Sequence, residues 1–505
     1  MNYTKFLLAI LSICSISINA QNETDALRYS QQNMFGSARV SSMGGAFGSL
    51  GGDFSGLSQN PAGIGMYQFT EVTFSPSFIL NNTTSYNNQQ GFTSSIITNS
   101  LKFDEDISQG SLGNIGFVFS TPKDNSEWKR VNFGIGLNQL ANYSKNIYIN
   151  TINNNSSLAD NLLSVAQGKQ INDLDAFFGS PAFWSDIIDL ENNSVDTALN
   201  QYLFDNGNYI SHILSQGEKR QTHQLNSNGD MHEFVLSAGT SYEDKLYLGA
   251  TVGIPTFEYS EIIKHREDVL SDTINNLGSF EYMQNLYATG EGINIKIGGI
   301  FRVNENIKLG GALHSPTVFT IQEEFRTITQ SNFSDTSYRE ASPVNFFEYE
   351  LITPWKAIAS ISANINKNII VSCDYEIIDY SNSSLNSKNY RNDDGTEIFA
   401  SENNTIDNIY HKSENIRLGI EMKADPFRLR AGYSRHSSPF KNNEELAREN
   451  FSFGAGINYG SYYFDLAYVL SQAHDQYQMY SEEFINPTEL VYTNHNLVIT
   501  LGFRY

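Results

Sequence analysis

The residues that could perform covalent or metal chemistry do not form a recognised constellation. The sequence contains no Gly-x-Ser-x-Gly elbow, no His-Glu-x-x-His pair and no Cys-x-x-Cys motif. His232-Glu233 lacks the second histidine that a metal-binding helix of that type needs, and the nine histidines are scattered. We therefore expect a protein that is not an enzyme, without a metal or a cofactor. A haem site would rest on isolated His and Tyr residues alone.

The segment from Met43 to Gly63, MGGAFGSLGGDFSGLSQNPAG, has a composition suited to close packing and apolar binding. Its glycines permit a tight, irregular backbone, and Asn60-Pro61 is a turn signal. A phosphate-binding loop would follow a strand, open a helix and carry a suitably placed Lys, and that context is missing. The apolar side chains expected to line a pocket within the segment are Phe47, Leu50, Phe54 and Leu57.

The elements that must position this segment are strands, because apolar and polar residues alternate with period two over most of the chain. Between Val131 and Asn138 the odd-numbered residues are Val, Phe, Ile and Leu, and the even-numbered ones are Asn and Gly. The same alternation recurs at 293–301, 416–423, 451–459 and 496–505. Abundant Tyr and Phe with sparse Pro also favour strands.

Connector lengths distinguish a membrane barrel from a soluble sandwich. Short and long connectors alternate between candidate strands that begin near residues 70, 112, 131, 229, 245, 288, 306, 353, 368, 414, 427, 450, 462 and 491. This alternation is typical of bacterial outer-membrane barrels, and inside a bilayer the sheet must close to pair its backbone. We predict an all-β, 14-stranded antiparallel transmembrane barrel. Its longest extracellular loop, 151–228, is expected to be partly helical.

A polar lumen inside so many strands is too wide for wall side chains to fill. Residues 21–68 are therefore expected to form an N-terminal plug, or hatch, and residues 69–505 the barrel. Residues 1–20 resemble a cleaved signal peptide, with Lys5 before a short apolar run and Ala20 before the cut. The residues expected to shape or gate the hatch are Gly44, Gly45, Gly48, Asn60, Pro61, Ala62 and Gly63.

Several short stretches resemble one known family. Residues 25–30 (DALRYS), 38–39 (AR), 43–47 (MGGAF) and 60–63 (NPAG) are similar to the hatch of the FadL/TodX (OMPP1) family, in the form common in Bacteroidetes-type bacteria. Residues 353–357 (TPWKA) and 430–433 (RAGY) are similar to its later strands. The resemblance implies a fourteen-stranded barrel with an N-terminal plug that carries long-chain fatty acids and other hydrophobic compounds across a Gram-negative outer membrane.

The resemblance also implies a route for the solute. Capture in an outer groove would be followed by a pocket near the hatch and lateral exit through a gap in the wall, at a distortion of an early strand. The nearest candidate for that distortion is Asn138 to Asn142 in the third strand. No energy source is needed, because each buried methylene gains about 0.8 kcal/mol.

The loop 151–228 is the natural place for the outer groove. A helical pattern at Leu158, Leu162, Leu163 and Val165 precedes a second one at Tyr202, Ile210, Ile213 and Leu214. Between them lie four aromatic candidates for substrate binding, Phe177, Phe178, Phe183 and Trp184. These aromatic residues either pack a small core of the loop itself or line a ligand groove.

Inward-facing charges are expected to form a network that holds the hatch, although one arginine could instead meet a ligand carboxylate. They are Lys296, Lys308, Asp374, Arg417, Arg428, Arg430, Asp465 and Arg504. The net charge of −23 argues against a nucleic-acid partner. Removal of the leader leaves Cys373 as the only cysteine, so no intrachain disulfide is expected.

The patterns predict a plugged outer-membrane barrel, and the resemblance implies a channel for passive uptake of hydrophobic small molecules, long-chain fatty acids or aromatic hydrocarbons. Its expected partners are outer-membrane lipid and the solute. A hypothesis of another class is a plugged barrel that binds protein as an interaction or shuttle component of type IX secretion, through its long acidic loops. The sequence leaves both hypotheses open, as it does a plug that only seals the pore.

Overall fold

A computed structural model of the chain shows one closed antiparallel sheet of fourteen barrel strands. It describes residues 23–33, 35–87, 101–123, 125–191, 195–196, 201–202, 207–213, 215–271, 276–387, 397–441 and 443–505, and the predicted signal peptide lies outside these ranges. The barrel closes where the first strand pairs with the last, from Glu71 opposite Arg504 to Tyr86 opposite Glu489. The predicted 14-stranded antiparallel barrel with an N-terminal plug is confirmed.

The barrel strands are named in chain order. They are Glu71–Asn87 (β1), Leu101–Pro122 (β2), Trp128–Asn142 with Lys145–Asn153 (β3), Lys219–Tyr242 (β4), Leu246–Val269 (β5), Leu277–Arg302 (β6), Ile307–His314 with Val318–Phe333 (β7), Asn345–Ile352 with Lys356–Asn366 (β8), Ile369–Asp379 (β9), Lys412–Ala424 (β10), Phe427–His436 (β11), Arg448–Asn458 (β12), Tyr462–Tyr477 (β13) and Thr488–Arg504 (β14). The short strands Ser337–Ala341 and Ser384–Asn386 extend the sheet beside β7 and β8.

The helices lie before the barrel and in its long connectors. The α-helices are Glu23–Ser30 (α1), Ala38–Ser42 (α2), Leu158–Ala166 (α3), Gly179–Trp184 (α4) and Ala400–Ile409 (α5). The 3-10 turns are Ser55–Ser58, Pro61–Met66, Ile171–Asp173, Tyr380–Asn382 and Glu444–Leu446. In the described part of the chain, no helix has the length and apolar character needed to cross a bilayer.

The strands extend further on the long-loop side than the apolar alternation predicts. β2 begins at Leu101, β4 at Lys219 and β6 at Leu277, where the alternation placed these starts near 112, 229 and 288. In these outer extensions both faces carry polar residues, as in the DEDISQ sequence of β2, so the period-two signal of hydrophobicity disappears. The long loop predicted at 151–228 is correspondingly 154–218.

One helical prediction within this loop is wrong. Tyr202 and Ile210 lie in short antiparallel strands, Gln201–Tyr202 against Val195–Asp196 and Tyr209–Ser211 against Ile188–Leu190. An apolar spacing that fits a helix also fits a hairpin that buries one side, and here backbone pairing decides between the two. Ile213 is buried beyond the second strand pair, and Leu214 lies outside the described residues.

The outer wall of the barrel is apolar. Ile293, Ile295 and Ile297 on β6 are each more than half exposed, at 56%, 55% and 53%, and equivalent side chains stand at alternate positions on most strands. An aromatic girdle surrounds the end with the short turns, formed by Phe69, Trp128, Phe301, Phe427, Tyr459, Tyr462, Phe503 and Tyr505. A closed sheet with this outer surface is suited to hydrocarbon on the outside and polar groups within.

Residues 35–67, the larger part of the hatch predicted at 21–68, fill the lumen at the short-turn end and press their backbone against the wall; the name hatch is used for these residues from here on. Inward-facing glycines make this approach possible. A Cβ atom at Gly298 on β6 would lie 2.0 Å from Oδ1 of Asn60, and one at Gly432 on β11 would lie 2.1 Å from the backbone N of Gly44. Side chains at these positions would exclude the hatch.

Replacement of Gly298 by Val is expected to displace the hatch around Asn60 while the barrel still forms. Overpacking of this kind costs about 1–3 kcal/mol. Heat-modifiable migration in gels reports the folded barrel, and limited proteolysis from the short-turn side reports release of residues 35–67. The matched control is Gly311→Val on β7, where the glycine faces outward. Equal protease resistance of the two variants would contradict the packing role of Gly298.

Candidate functional site

Asp374 on β9 anchors the glycine-rich turn of the hatch to the wall. Its Oδ2 accepts hydrogen bonds from the backbone N–H groups of Phe47 at 2.9 Å and Gly48 at 2.8 Å. The turn can present both donors because Gly44 and Gly45 adopt positive φ angles of 62° and 75°, which L side chains rarely adopt. A carboxylate that receives two backbone donors forms a strong, directional attachment.

The Asn-Pro-Ala-Gly segment is a second fixed point. Oδ1 of Asn60 accepts from the backbone N of Ala62 at 3.0 Å, and its Nδ2 donates to the carbonyl of Gly48 at 2.6 Å. Pro61 starts the following 3-10 turn, where the missing N–H is not needed. Gly63 closes the segment by accepting from the backbone N of Gly52 at 3.2 Å. Asn60 thus joins the two halves of the hatch.

Charged side chains inside the barrel pair mainly with neighbouring strands, and one bridge reaches the hatch. Arg39 of α2 contacts Glu421 on β10 at 3.0 Å, and Glu421 also binds Arg430 on β11 at 2.7 Å, which in turn contacts Asp465 on β13 at 2.6 Å. The pairs Lys296–Glu233, Arg417–Glu376, Arg428–Asp425 and Arg504–Glu71 are separate. Among the described residues, Lys308 forms no ion pair within 4.0 Å.

Asp53 is a buried carboxylate within the hatch itself. Burial raises the pKa of Asp53, while Arg39 and hydrogen bonds from the Ser37 hydroxyl at 2.7 Å and the Ser55 backbone N at 3.0 Å oppose that rise. Because its pKa is raised on folding, protonated Asp53 favours the folded hatch, and this contribution is lost as the pH rises through the folded-state pKa.

The apolar hatch residues predicted to line a pocket instead pack in two clusters, one mainly within the hatch and one between the hatch and the wall. Phe47 and Leu50 are buried with Val40 and Met43. Phe54 and Leu57 pack in a second cluster, which also contains Ile64, Tyr67, Val118 and Val235. The Phe54 ring occupies space that Gly116 and Gly136 leave free. None of the four predicted residues lines the lumen cavity described below.

The loop aromatics mainly form the loop's own core. Phe178 and Phe183 are buried, and Phe178 packs with Tyr282 of β6 and Phe325 of β7, with ring centroids 6.2 and 6.3 Å apart. Phe177 packs on the same Phe325 ring at 5.7 Å. Of the four predicted groove residues, Trp184 alone is half exposed, at 50%.

The α3 end of this loop is fastened to the barrel by a buried polar chain. Glu267 on β5 accepts from the Ser157 hydroxyl at 2.6 Å and the Leu158 backbone N at 2.8 Å. Nε2 of His265 lies 3.0 Å from the same carboxylate, and its Nδ1 lies 3.1 Å from Nδ1 of His223 on β4. The loop is therefore a rigid part of the outer face where it meets β4 and β5.

A cavity of about 290 Å³ lies in the lumen between the hatch and the outer loops. The hatch contributes Ser41, Gly44 and Gly45, and β14 contributes Asn494 and Asn496. Aromatic rings from Phe35, Tyr143, Tyr259 and Tyr492 cover part of its surface. The cavity therefore combines aromatic and hydrogen-bonding walls, which suits an amphipathic molecule.

The charged side chains that line this cavity are all cationic. Arg28, Lys145 and Arg448 contribute to the lining, which contains no Asp or Glu. Arg28 is already committed, because it pairs with Asp25 and lies over the Tyr259 ring at 4.3 Å. In the described part of the chain, neither Lys145 nor Arg448 has a carboxylate within 4.0 Å. Two cations are therefore available to a ligand.

The wall beside the cavity is interrupted at β3. The backbone ladder between β2 and β3 covers Asn114–Pro122 and Arg130–Asn138, and a bulge follows between Gln139 and Ala141. Beyond Asn142 the outer part of β3 pairs with β4. Within the described residues, the outer half of β2, Leu101–Gly113, has ladder partners on β1 only.

Side chains bridge this wall break in place of a ladder. The Ser144 hydroxyl donates to Oε1 of Gln109 on β2, and Nδ2 of Asn81 on β1 donates to the Ser144 carbonyl at 2.6 Å. Asn142, Tyr143, Ser144 and Lys145 line the cavity from the same segment. The distortion anticipated at Asn138 to Asn142 thus lies between the lumen cavity and the bilayer side of the wall.

One group of side chains has ligand atoms close enough to share a divalent cation. Atoms of Asp186, Asp189 and His212 lie within 4.8 Å of one another in the outer loop, where His212 is buried. Nδ1 of His212 is 2.9 Å from the Asp186 carbonyl. Burial raises the pKa of Asp186, the nearby His212 opposes that rise and Asp189 adds to it. Nδ1 of His212 lies 3.8 Å from Oδ1 of Asp186, so the two side chains also contact each other directly.

Comparison with known proteins identifies the fold. No family model and no curated protein matches the sequence. A Pseudomonas aeruginosa FadL homologue has a TM-score of 0.52 at 12% sequence identity, over 94% of this chain and 99% of that chain. The P. putida toluene transporter TodX has a TM-score of 0.51 at 11% identity, over 94% and 99% of the two chains. The chain therefore has the plugged-barrel fold of FadL-type outer-membrane proteins.

Replacement of Asp374 by Asn is expected to loosen the hatch, because a neutral amide oxygen accepts the Phe47 and Gly48 donors more weakly. Hydrogen bonds to charged groups contribute about 1.5–3 kcal/mol. Ion conductance of the protein in a planar bilayer should rise, with frequent transient openings. The control is Asp104→Asn on the exposed outer part of β2, where the carboxylate contacts Lys102 and the Thr84 hydroxyl but no hatch residue. Identical conductance of both variants and the unaltered protein would show that Asp374 does not hold the hatch shut.

Proposed function

We propose that the protein is a passive outer-membrane channel for hydrophobic small molecules, with long-chain fatty acids favoured over aromatic hydrocarbons. The observation that carries the proposal is that one cavity borders both the hatch and the β3 wall break. A solute held there needs no passage through the hatch, because the break lies beside it. We further propose membership of the FadL/TodX (OMPP1) family, in its Bacteroidetes-type branch, on the quoted motifs and the shared fold.

The preference for fatty acids rests on Lys145 and Arg448. Both line the cavity, and neither has a carboxylate within 4.0 Å in the described part of the chain. A carboxylate head group would supply the missing counter-charge, and guanidinium–carboxylate pairs are strong and directional. A bare aromatic hydrocarbon would offer these cations only its ring face, a weaker partner than a carboxylate. Aromatic rings in the same lining would contact the acyl chain.

Lateral release is favoured because the transfer free energy of an acyl chain is lower in lipid than in water. An acyl chain that left through the hatch would enter water, whereas one that left at the β2–β3 break would enter lipid and lose no hydrophobic free energy. On the lipid side, an apolar groove of about 510 Å³ runs across β2 to β6, formed by residues that include Phe117, Phe119 and Phe133. This groove lies on the short-turn side of the break, along the same strands.

Uptake by cells tests the channel directly. Cells that produce the protein should take up labelled oleate faster than cells without it, and a benzene-type hydrocarbon should show a smaller gain. Arg448→Gln should reduce oleate uptake about 5- to 10-fold through loss of a charge-assisted contact. Lys441→Gln, on an exposed loop, is the control. Equal oleate uptake with and without the protein would exclude the channel function, and co-purification with secreted cargo would favour the secretion hypothesis.

A cross-link across the wall break tests lateral exit. Cysteines at Gln109 and Ser144, whose side chains already touch, should form a disulfide that fixes β3 against β2. Oleate uptake should fall strongly under oxidising conditions and return on reduction, because the break could no longer widen. Each single-cysteine variant is a control, with the native Cys373 present throughout. Uptake that is unchanged by a verified cross-link would place the exit elsewhere.

A further inference from the structure

We propose that the lumen cavity selects amphiphiles whose head group carries both a negative charge and a hydrogen-bond donor, as in an N-acyl amino acid. This inference rests on the proposed channel function and specifies its substrate class. A simple fatty acid offers the charge without the donor. The cavity lining contains unsatisfied groups of both kinds, and they are buried beside the two available cations.

The donors come from the hatch and from β12. The hydroxyl oxygen of Ser41 is buried without a hydrogen-bond partner among the described residues, and the Ser41 side chain is only 3% exposed. Nε of Arg448 is likewise buried and unpaired within the described residues. Lys145 adds a cation from the wall break, where it lies 5.7 Å above the Tyr492 ring. These groups can receive a carboxylate.

The acceptor is Asn496 on β14. Its Oδ1 has no hydrogen-bond partner among the described residues, and the residue is 4% exposed. Two other cavity asparagines use their amide oxygens: Oδ1 of Asn81 accepts from Nδ2 of Asn494, and Oδ1 of Asn142 accepts from the Ser144 backbone N at 3.3 Å. Oδ1 of Asn33, at the opposite end of the chain, is unpaired like that of Asn496 within the described part of the chain, so Asn496 supplies one of the cavity's unused amide acceptors.

The consequence for selectivity follows from the cost of leaving a buried polar group unpaired. A ligand that reaches these groups and completes their hydrogen bonds therefore gains free energy that a ligand without the matching polar atoms does not gain. A fatty acid pairs with Arg448 and Lys145 but gives Asn496 nothing. An N-acyl amino acid brings its amide N–H to Asn496 and its carboxylate to the cations, so that both classes of group are satisfied.

Binding of N-oleoylglycine and oleate to the full-length protein in lipid nanodiscs, measured by titration calorimetry, tests the inference. N-Oleoylglycine should bind about 10-fold more tightly than oleate, the effect of one additional buried hydrogen bond. Asn496→Ala should remove this advantage and leave oleate affinity unchanged. Asn364→Ala, at the exposed short-turn end of β8, is the matched control and should preserve the difference.

Equal affinities of the two ligands for the unaltered protein would overturn the inference without any variant, so a folding defect in Asn496→Ala does not affect that outcome. The inference would also be overturned if Asn496→Ala lowered the affinities for both ligands equally, since the residue would then act through the shape of the cavity. If neither ligand bound, the channel function itself would fail along with the inference. Binding of oleate alone would overturn only the head-group selectivity.

Discussion

The structure depends on the requirement that a wide barrel lumen be filled by backbone whose polar groups are paired. The plug meets this requirement by pressing main chain directly against the wall, so its N–H groups reach Asp374 and its Asn60 side chain reaches across to Gly48. Wall positions such as Gly298 and Gly432 must then lack side chains. The glycines of the hatch and the glycines of the strands therefore serve the same purpose, which is close contact between the hatch backbone and the wall.

The same arrangement separates structural from ligand-directed chemistry. Carboxylates such as Glu421 and Glu376 pair with arginines, and the apolar hatch side chains pack within the hatch and against the wall. Lys145 of β3 and Arg448 of β12, which have no carboxylate within 4.0 Å among the described residues, lie in one cavity with amides from β14. The cavity that we propose for the solute therefore lies beside the hatch rather than inside it.

Sequence patterns predicted the barrel because strand alternation is enforced by lipid on one side and polar lumen on the other. They did not predict that Lys145 lines the cavity, because the bulge after Gln139 changes which residues of β3 face inward. Before the bulge the even-numbered Asn132 and Asn138 face inward, and after it the odd-numbered Ile147 and Ile149 are buried. The inward or outward orientation inferred from odd and even positions before the bulge therefore does not hold after it. The motif at 60–63 and the distortion near 138–142 were accessible from sequence, whereas the unpaired state of Asn496 requires knowledge of every neighbour.

The position of the hatch at the barrel's seam constrains how the molecule can be assembled. The plug leads through Tyr67 directly into β1, and β1 meets β14 along the line where the cylinder closes, with the backbone N of Tyr505 bonded to the carbonyl of Thr70. The chain that leaves the plug is therefore fixed at the line of closure, so the place of the plug in the lumen is tied to the pairing of the first and last strands.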